Sequence, residues 1–187
     1  VIYIWGPKDK APDGIEVINT TSRSLNWSKG LSPFFLGPCE LYNEYVSTNV
    51  ENAWQFSKVY KGYIDSGGNP SKEYFNWAIE GWSNPQAIRY PMGKGKIPLY
   101  SWWNGEKLIY VEARKKIYVP LYSKSVIQTD SYKKLRELYK ERKDLHIWDF
   151  DGYDYIKLGM SFKDVINDST RKMGHAFVLA NLLTKGY

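Results

Sequence analysis

Four side chains between Val50 and Tyr60 have the types and spacing to do chemistry. On a helix, Glu51, Trp54, Gln55 and Lys58 fall at i, i+3, i+4 and i+7 and share one face. That face carries a carboxylate, an aromatic plate, an amide and an amine. Together they can stack a base or ring, hold a sugar hydroxyl and act on a glycosidic bond. Ala53, Phe56, Ser57 and Tyr60 repeat the spacing on a second face that suits inward packing. A purely structural reading also exists. Thr48-Asn49-Val50-Glu51 fits a capping box, in which Glu51 only satisfies backbone donors at a helix start. Trp54 then belongs to the core, and Lys58 is a solvated charge.

A second group lies in Ile147-Trp148-Asp149-Phe150-Asp151-Gly152-Tyr153-Asp154-Tyr155, which sets aspartates among aromatic rings. An Asp held against apolar rings has its pKa raised and can serve as an acid. On a strand, Asp149 and Asp151 alternate to the same side. Asp151-Gly152 equally reads as a turn. Other chemistries find less support. His146 and His175 are the only histidines and lie in no HExxH or Cys/His spacing, so no metal is expected. His175 reads as a satisfied histidine rather than a ligand. There is no G-x-S-x-G elbow, and Cys39 follows a proline outside any motif. Gly93-Lys94-Gly95-Lys96 is a flexible basic loop, too short for a phosphate-binding Walker loop.

The elements that must position these residues read as follows. Val1 to Trp5 looks like an opening strand, and Ile15 to Thr20 a second one after the Pro12-Asp13-Gly14 turn. Leu31 to Pro38 suits a rigid loop. Leu41 to Val46 reads as a hairpin arm turning near Asn43. The Glu51 helix follows. Gly67-Gly68-Asn69-Pro70 breaks the chain, and Ser71 caps a helix through Tyr74, Ala78 and Ile79. Asn84-Pro85 opens a short helix. Tyr110, Ala113 and Ile117 mark a helix that Pro120 ends. Ser131 caps a helix carrying Tyr132, Leu135, Leu138 and Tyr139. The last helix starts near Thr170, capped by Asp168 or Ser169, with Met173, Phe177 and Ala180 as its buried stripe. Helices outnumber strands, so the expected fold is α+β, a mostly helical single domain with a small sheet formed early. Residues 1–14 are expected as an N-terminal extension and residues 15–183 as the core.

With 187 residues the chain can bury a real core as one domain. Aromatic residues make up 17%, with 8 Trp and 16 Tyr, which suits either a pocket for a flat ligand or an aromatic-heavy core. The single Cys allows no intrachain disulfide, which points to a reducing, cytoplasmic compartment. No apolar run is long enough to span a bilayer, and the first residues do not read as a signal peptide, so no membrane partner is expected. The net charge of +6 favours a phosphate-bearing ligand or nucleic acid. The basic run Lys133, Lys134, Arg136, Lys140, Arg142 and Lys143 is interspersed with Glu137, Glu141 and Asp144, as on a solvated helix face.

The order of segments resembles the NADAR superfamily, whose members act as N-glycosidases on ADP-ribose- or ribosyl-linked nitrogenous groups. Ile15 to Asn19 looks like that fold's opening strand. Leu31-Ser32-Pro33-Phe34-Phe35-Leu36-Gly37-Pro38 is similar to its F-S-N-F loop. Val50 to Lys58 is similar to its S-E-H-x-x-Q-A-x-K-F helix, with Glu51, Gln55 and Lys58 on the matching polar positions. Met92-Gly93-Lys94 resembles its G-R step, followed by Trp102 or Trp103. Val111 to Lys116 resembles the next helix, and Arg171 to Leu179 the closing N-x-L-G-x-x-L-M helix. The chain departs from the family at Asn52 for His, Lys94 for Arg and Arg171 for Asn, and Trp148-Asp149 is the candidate for the W-G step.

The resemblance implies a NADAR-like fold and cleavage of the N-glycosidic bond of an ADP-ribosyl or phosphoribosyl compound, without a cofactor. The implied partners are an ADP-ribose-like or phosphoribosyl small molecule, or ADP-ribosylated nucleic acid. Glu51 would stabilise the oxocarbenium-like state. Lys58 would bind a phosphate or hydroxyl, or act covalently. Gln55 would fix a ribose hydroxyl, and Trp54 or Trp148 would stack the base beside Phe34. Arg89, Lys94 and Lys96 would hold phosphates, and Asp149 or Asp151 would protonate the leaving nitrogen. The alternatives are a non-catalytic module or sponge for such a nucleotide, and a protein-interaction or inhibitor role on the aromatic surface. The sequence leaves the oligomeric state open.

Overall fold

The computed structural model describes residues 1–187. The first half of the chain forms β1 (Ile2–Trp5), β2 (Ile18–Asn19), β3 (Cys39–Glu40), β4 (Val46–Ser47), α1 (Val50–Gln55), β5 (Lys58–Val59) and α2 (Lys72–Ser83). After these come β6 (Tyr100–Trp103), β7 (Glu106–Leu108), α3 (Tyr110–Ala113), α4 (Val119–Val126) and α5 (Asp130–Glu141). The chain ends with β8 (Leu145–Trp148), α6 (Phe162–Asn167) and α7 (His175–Lys185). The fold is α+β, and no helix is long and apolar enough to cross a membrane. The chain divides into two compact units, Val1–Phe35 with Tyr122–Tyr187, and Leu36–Leu121.

The first unit is built on a parallel sheet ordered β1-β8-β2. Ile2, Ile4, Ile18, Leu145 and Ile147 alternate to one face and are buried. Helix α7 packs against β1. It is buried on nearly every side from His175 to Leu183, as its apolar composition requires. Tyr3, Trp5 and His146 lie on the alternate positions, with ring planes within 10° of parallel. Trp5 Nε1 donates to His146 Nδ1 at 3.0 Å. Residues 1–14 were expected to precede the core, yet they supply one of its three strands. The small sheet is completed by β8, late in the chain rather than early.

The second unit holds the antiparallel pair β3–β4 and the antiparallel sheet β5-β6-β7. The first pair turns at Asn43 and Glu44, both at positive φ, as the sequence predicts. The β6–β7 hairpin turns at Asn104-Gly105, both at positive φ, which is the favoured two-residue turn chemistry. Its core is aromatic: Tyr42, Phe56, Tyr74 and Trp82 are buried with Val59 and Ala78. Ser71 caps α2 by accepting from the Tyr74 amide, as expected. Tyr74 Oη donates to the Phe56 carbonyl at 2.7 Å. Burial pushes the Tyr74 hydroxyl well above its ordinary pKa.

Gly81 on α2 faces Phe56, and a Cβ there would lie 2.2 Å from the Phe56 ring. Glycine to alanine in a helix interior normally gains close to 1 kcal/mol. Here the collision reverses the sign, and Gly81→Ala is expected to lower stability by about 1–3 kcal/mol in a denaturant melt. A gain in stability would show that Phe56 can move aside.

Several expected boundaries shift. The second strand is only Ile18–Asn19. Residues 27–35 form two short 3₁₀ turns rather than an irregular loop. Asn84-Pro85 opens no helix. Pro120 does not end its helix: Arg114–Tyr118 is a π turn, and the Val119 amide bonds Arg114 O, so helix continues to Val126. Thr129, not Ser131, caps α5, while Ser131 donates to Trp27 O at 2.7 Å. The basic run on α5 is solvated, with Arg142 paired to Glu16 at 2.9 Å.

The last helix starts at His175, not near Thr170. Asp168 closes a local turn instead, accepting from the Thr170 hydroxyl and from Arg171. Those two contacts, Thr170 first, hold its carboxyl down at about 2. Ser161 caps the unexpected α6 through a true capping box with Asp164.

Candidate functional site

Helix α1 is six residues long and starts where Asn49 accepts from the Asn52 amide at 2.8 Å. Asn49 is therefore the cap, and the capping-box role for Glu51 does not hold. The helix stops after Gln55, and the chain passes directly into β5. Lys58 thus comes from a strand, which corrects the single helical face. Ser57 helps the change of direction by donating to Trp54 O at 2.7 Å.

The side chains still meet. Lys58 Nζ donates to Gln55 Oε1 at 3.2 Å, and Gln55 Nε2 donates to Glu51 Oε1 at 3.1 Å. Lys58 Nζ also lies 5.3 Å from the centre of the Trp54 ring, a cation–π contact. Glu51 and Gln55 are each 7% exposed and Lys58 is half-buried, so the polar chain is desolvated at its Glu51 and Gln55 end. Desolvated polar groups interact strongly, and each must be partnered to stay buried. Each end of the Gln55 amide makes one hydrogen bond within the protein.

Trp54 is half-buried against Leu108, Ala113 and Ile117. Its ring meets Tyr118 edge-on at 5.3 Å and Tyr110 at 6.4 Å. The Arg114 guanidinium sits 4.3 Å from the Tyr110 ring centre and is 1% exposed. Two neighbouring rings, Trp54 and Tyr110, are therefore flanked by two cations, Lys58 and Arg114. Sequence reasoning missed Arg114, because nothing local separates it from Lys115 and Lys116. Those two are exposed and paired with Glu112 and Glu106.

Asn52 is fully buried. Its amide donates to Gln86 O at 2.8 Å and Asn84 O at 3.3 Å, and its Oδ1 accepts from the Ile88 amide at 2.8 Å. It ties α1 to the loop between α2 and β6, which carries Arg89, Lys94 and Lys96. Arg89 is half-buried beside Tyr90, while Lys94, between the positive-φ Gly93 and Gly95, and Lys96 after them are exposed.

The remaining expected residues belong to the first unit. Phe34 is half-buried in the 3₁₀ turn Pro33–Phe35. Trp148 ends β8 and meets Phe150 edge-on at 5.0 Å. Asp149 and Asp151 lie beyond the strand in a turn, where the Gly152 amide bonds Asp149 O and the Asp151 amide reaches Asp149 Oδ1. Strand alternation therefore does not set their directions.

Asp149 is buried. Its Oδ2 accepts from the Ala176 amide at 3.0 Å and lies 3.3 Å from His175 Nδ1. A carboxylate placed on the first amides of α7 supplies the cap that Gly174 cannot. Gly174 is needed at that point, since a Cβ would lie 2.0 Å from Asp149 Oδ2. His175 Nε2 is 2.9 Å from Thr20 Oγ1 and 2.8 Å from Thr20 O, and Thr20 Oγ1 donates to Trp148 O at 3.0 Å. Thr20, Asp149 and His175 thus clamp the ends of β2 and β8 to the start of α7. In this clamp Asp149 accepts from the Ala176 amide and lies against the His175 ring. His175 is a satisfied histidine, as the sequence suggested.

No group of three or more His, Cys, Asp or Glu side chains is placed to hold a metal ion. Set beside family models, curated proteins and solved structures, the chain matches none.

Proposed function

We propose that the protein is an N-glycosidase with a NADAR-like fold, cleaving the bond between an anomeric carbon and nitrogen in an ADP-ribosyl or phosphoribosyl compound. The observation that carries this reading is the hydrogen-bonded chain from buried Glu51 and Gln55 to half-buried Lys58, beside the Trp54 ring. N-glycosidic cleavage passes through an oxocarbenium-like state, and a fixed carboxylate in a desolvated setting stabilises that developing charge. Glu51 is that carboxylate, and it orients the attacking water. The water oxygen bonds to the anomeric carbon as the carbon–nitrogen bond breaks, the carbon keeps the hydroxyl, and the water's other proton ends on the leaving nitrogen. Lys58 meets a phosphate or hydroxyl of the sugar, and Trp54 stacks the leaving base.

The test is incubation with ADP-ribosylated guanosine, NAD and cyclic ADP-ribose, read by mass spectrometry. Conversion of any one supports the enzyme. A ligand retained unchanged points instead to a binding module that uses the same ring and cations.

In this reading Arg89, Lys94 and Lys96 recognise the phosphates. Charge reversal at each is expected to weaken ligand binding at least about tenfold for a contact worth roughly 1.5 kcal/mol. The fold should lose no more than about half a kcal/mol at exposed Lys94 and Lys96. Calorimetric titration checks this, and unchanged affinity in all three variants removes the loop from the site.

A further inference from the structure

The Gln55 amide has only one orientation that satisfies its neighbours. The Lys58 ammonium can only donate, so Oε1 must face it, and an ionised Glu51 can only accept, so Nε2 must face the carboxylate. Gln55 is the last residue of α1 and Glu51 lies one turn before it, so the contact is built into the helix. Lys58 approaches from β5, whose backbone is held in register against β6 through Lys58–Ser101 and Val59–Tyr100. Two independent elements therefore fix the amide from opposite ends, and it is 7% exposed.

We propose that Gln55 is a positioning residue that holds Glu51 as the carboxylate, aimed for the oxocarbenium-like state, and couples it to Lys58. This rests on the glycosidase reading of the same site. A hydrogen bond donated to the charged form of an acid favours that form, and burial makes the effect larger. Replacing the amide by a second carboxylate sets two like charges one helical turn apart, and the pair then takes up a proton more readily.

The test uses the full chain with carbon-13-labelled glutamate side chains. The Glu51 carboxyl resonance is assigned by its loss in Glu51→Gln and followed through a pH titration. In Gln55→Leu, which keeps the bulk and removes the donor, the Glu51 midpoint is expected to move to higher pH. In Gln55→Glu, which keeps an acceptor for Lys58, it is expected to move further upward, with a two-step titration. An unchanged or lowered midpoint in both folded variants overturns the proposal.

Single-turnover cleavage of ADP-ribosylated guanosine is measured beside it. Gln55→Leu is expected to lose about tenfold or more in turnover with a smaller change in binding, and its pH profile should follow the shifted midpoint. If the wild type does not cleave while the midpoints shift, the glycosidase reading fails and the role of Gln55 in holding the carboxylate stands. If the wild type cleaves while the midpoints stay, the positioning role fails and the glycosidase reading stands.

Discussion

If the protein is the proposed glycosidase, Glu51→Gln is expected to lower turnover of an ADP-ribosyl substrate at least about a hundredfold, with ligand affinity and melting temperature close to those of the wild type. The substitution keeps the shape of the side chain and an oxygen that can still accept from Gln55 Nε2. What it removes is negative charge. Losing one preorganised electrostatic contact to a transition state costs roughly 3 kcal/mol, which is more than a hundredfold in rate. Positive charge builds on the sugar only near the transition state, so ground-state binding changes much less. Stability should hold because Asn49, not Glu51, caps α1. Losing a cap would cost about 1 kcal/mol. Single-turnover kinetics, ligand titration and melting on the two proteins check all three parts. Full activity in a well-folded variant would remove Glu51 from the mechanism.

The largest stability effect is expected at the clamp of the first unit. His175→Ala removes one partner from the buried Asp149 carboxylate and the partner of the Thr20 carbonyl. A buried polar group left unpaired costs about 1–3 kcal/mol, and more when it is charged. The ring also leaves a cavity in a region where Thr20 is fully buried. Together these give an expected loss of at least about 3 kcal/mol. For a chain of this size that is roughly 6–12 °C in melting temperature. Asp149→Asn should lose less, because its amide oxygen can still accept from the Ala176 amide. A His175→Ala variant that melts with the wild type would show that the clamp contributes little.

Much of this was legible where the signal is local. Ser71 before α2 and the turn at Asn43 each rest on residues within a few positions. Some of the failures share a physical cause, which is that the deciding partner is distant in the chain. The start of α7 is capped by Asp149 across the fold, so the nearby Asp168, Ser169 and Thr170 pointed too early. Helix α7 is also buried almost all round and shows no amphipathic stripe to mark its ends. Pro120 looked like a stop because the π turn ahead of it, which shifts the hydrogen-bond register, has no signature of its own. The role of β8 appears only once β1 and β2 pair on either side of it.

The candidate site was legible in part for the same reason. Glu51 and Gln55 lie one helical turn apart, so their contact is local. Lys58 reaches them for a different reason than the one its spacing suggests, since β5 rather than a longer helix delivers it. Arg114 and its contact with Tyr110, one helical turn earlier, could not be singled out beside two other basic residues. Asn52 looked like a lost functional histidine, and its three hydrogen bonds make it the anchor of the following loop.

The most direct measurement is a single-turnover incubation of the wild-type protein with ADP-ribosylated guanosine in water enriched in oxygen-18, read by mass spectrometry. If Glu51 serves hydrolysis at the anomeric carbon, guanosine is released without label and the ADP-ribose carries one heavy oxygen. Recovery of the substrate intact from protein that has bound it would contradict the account.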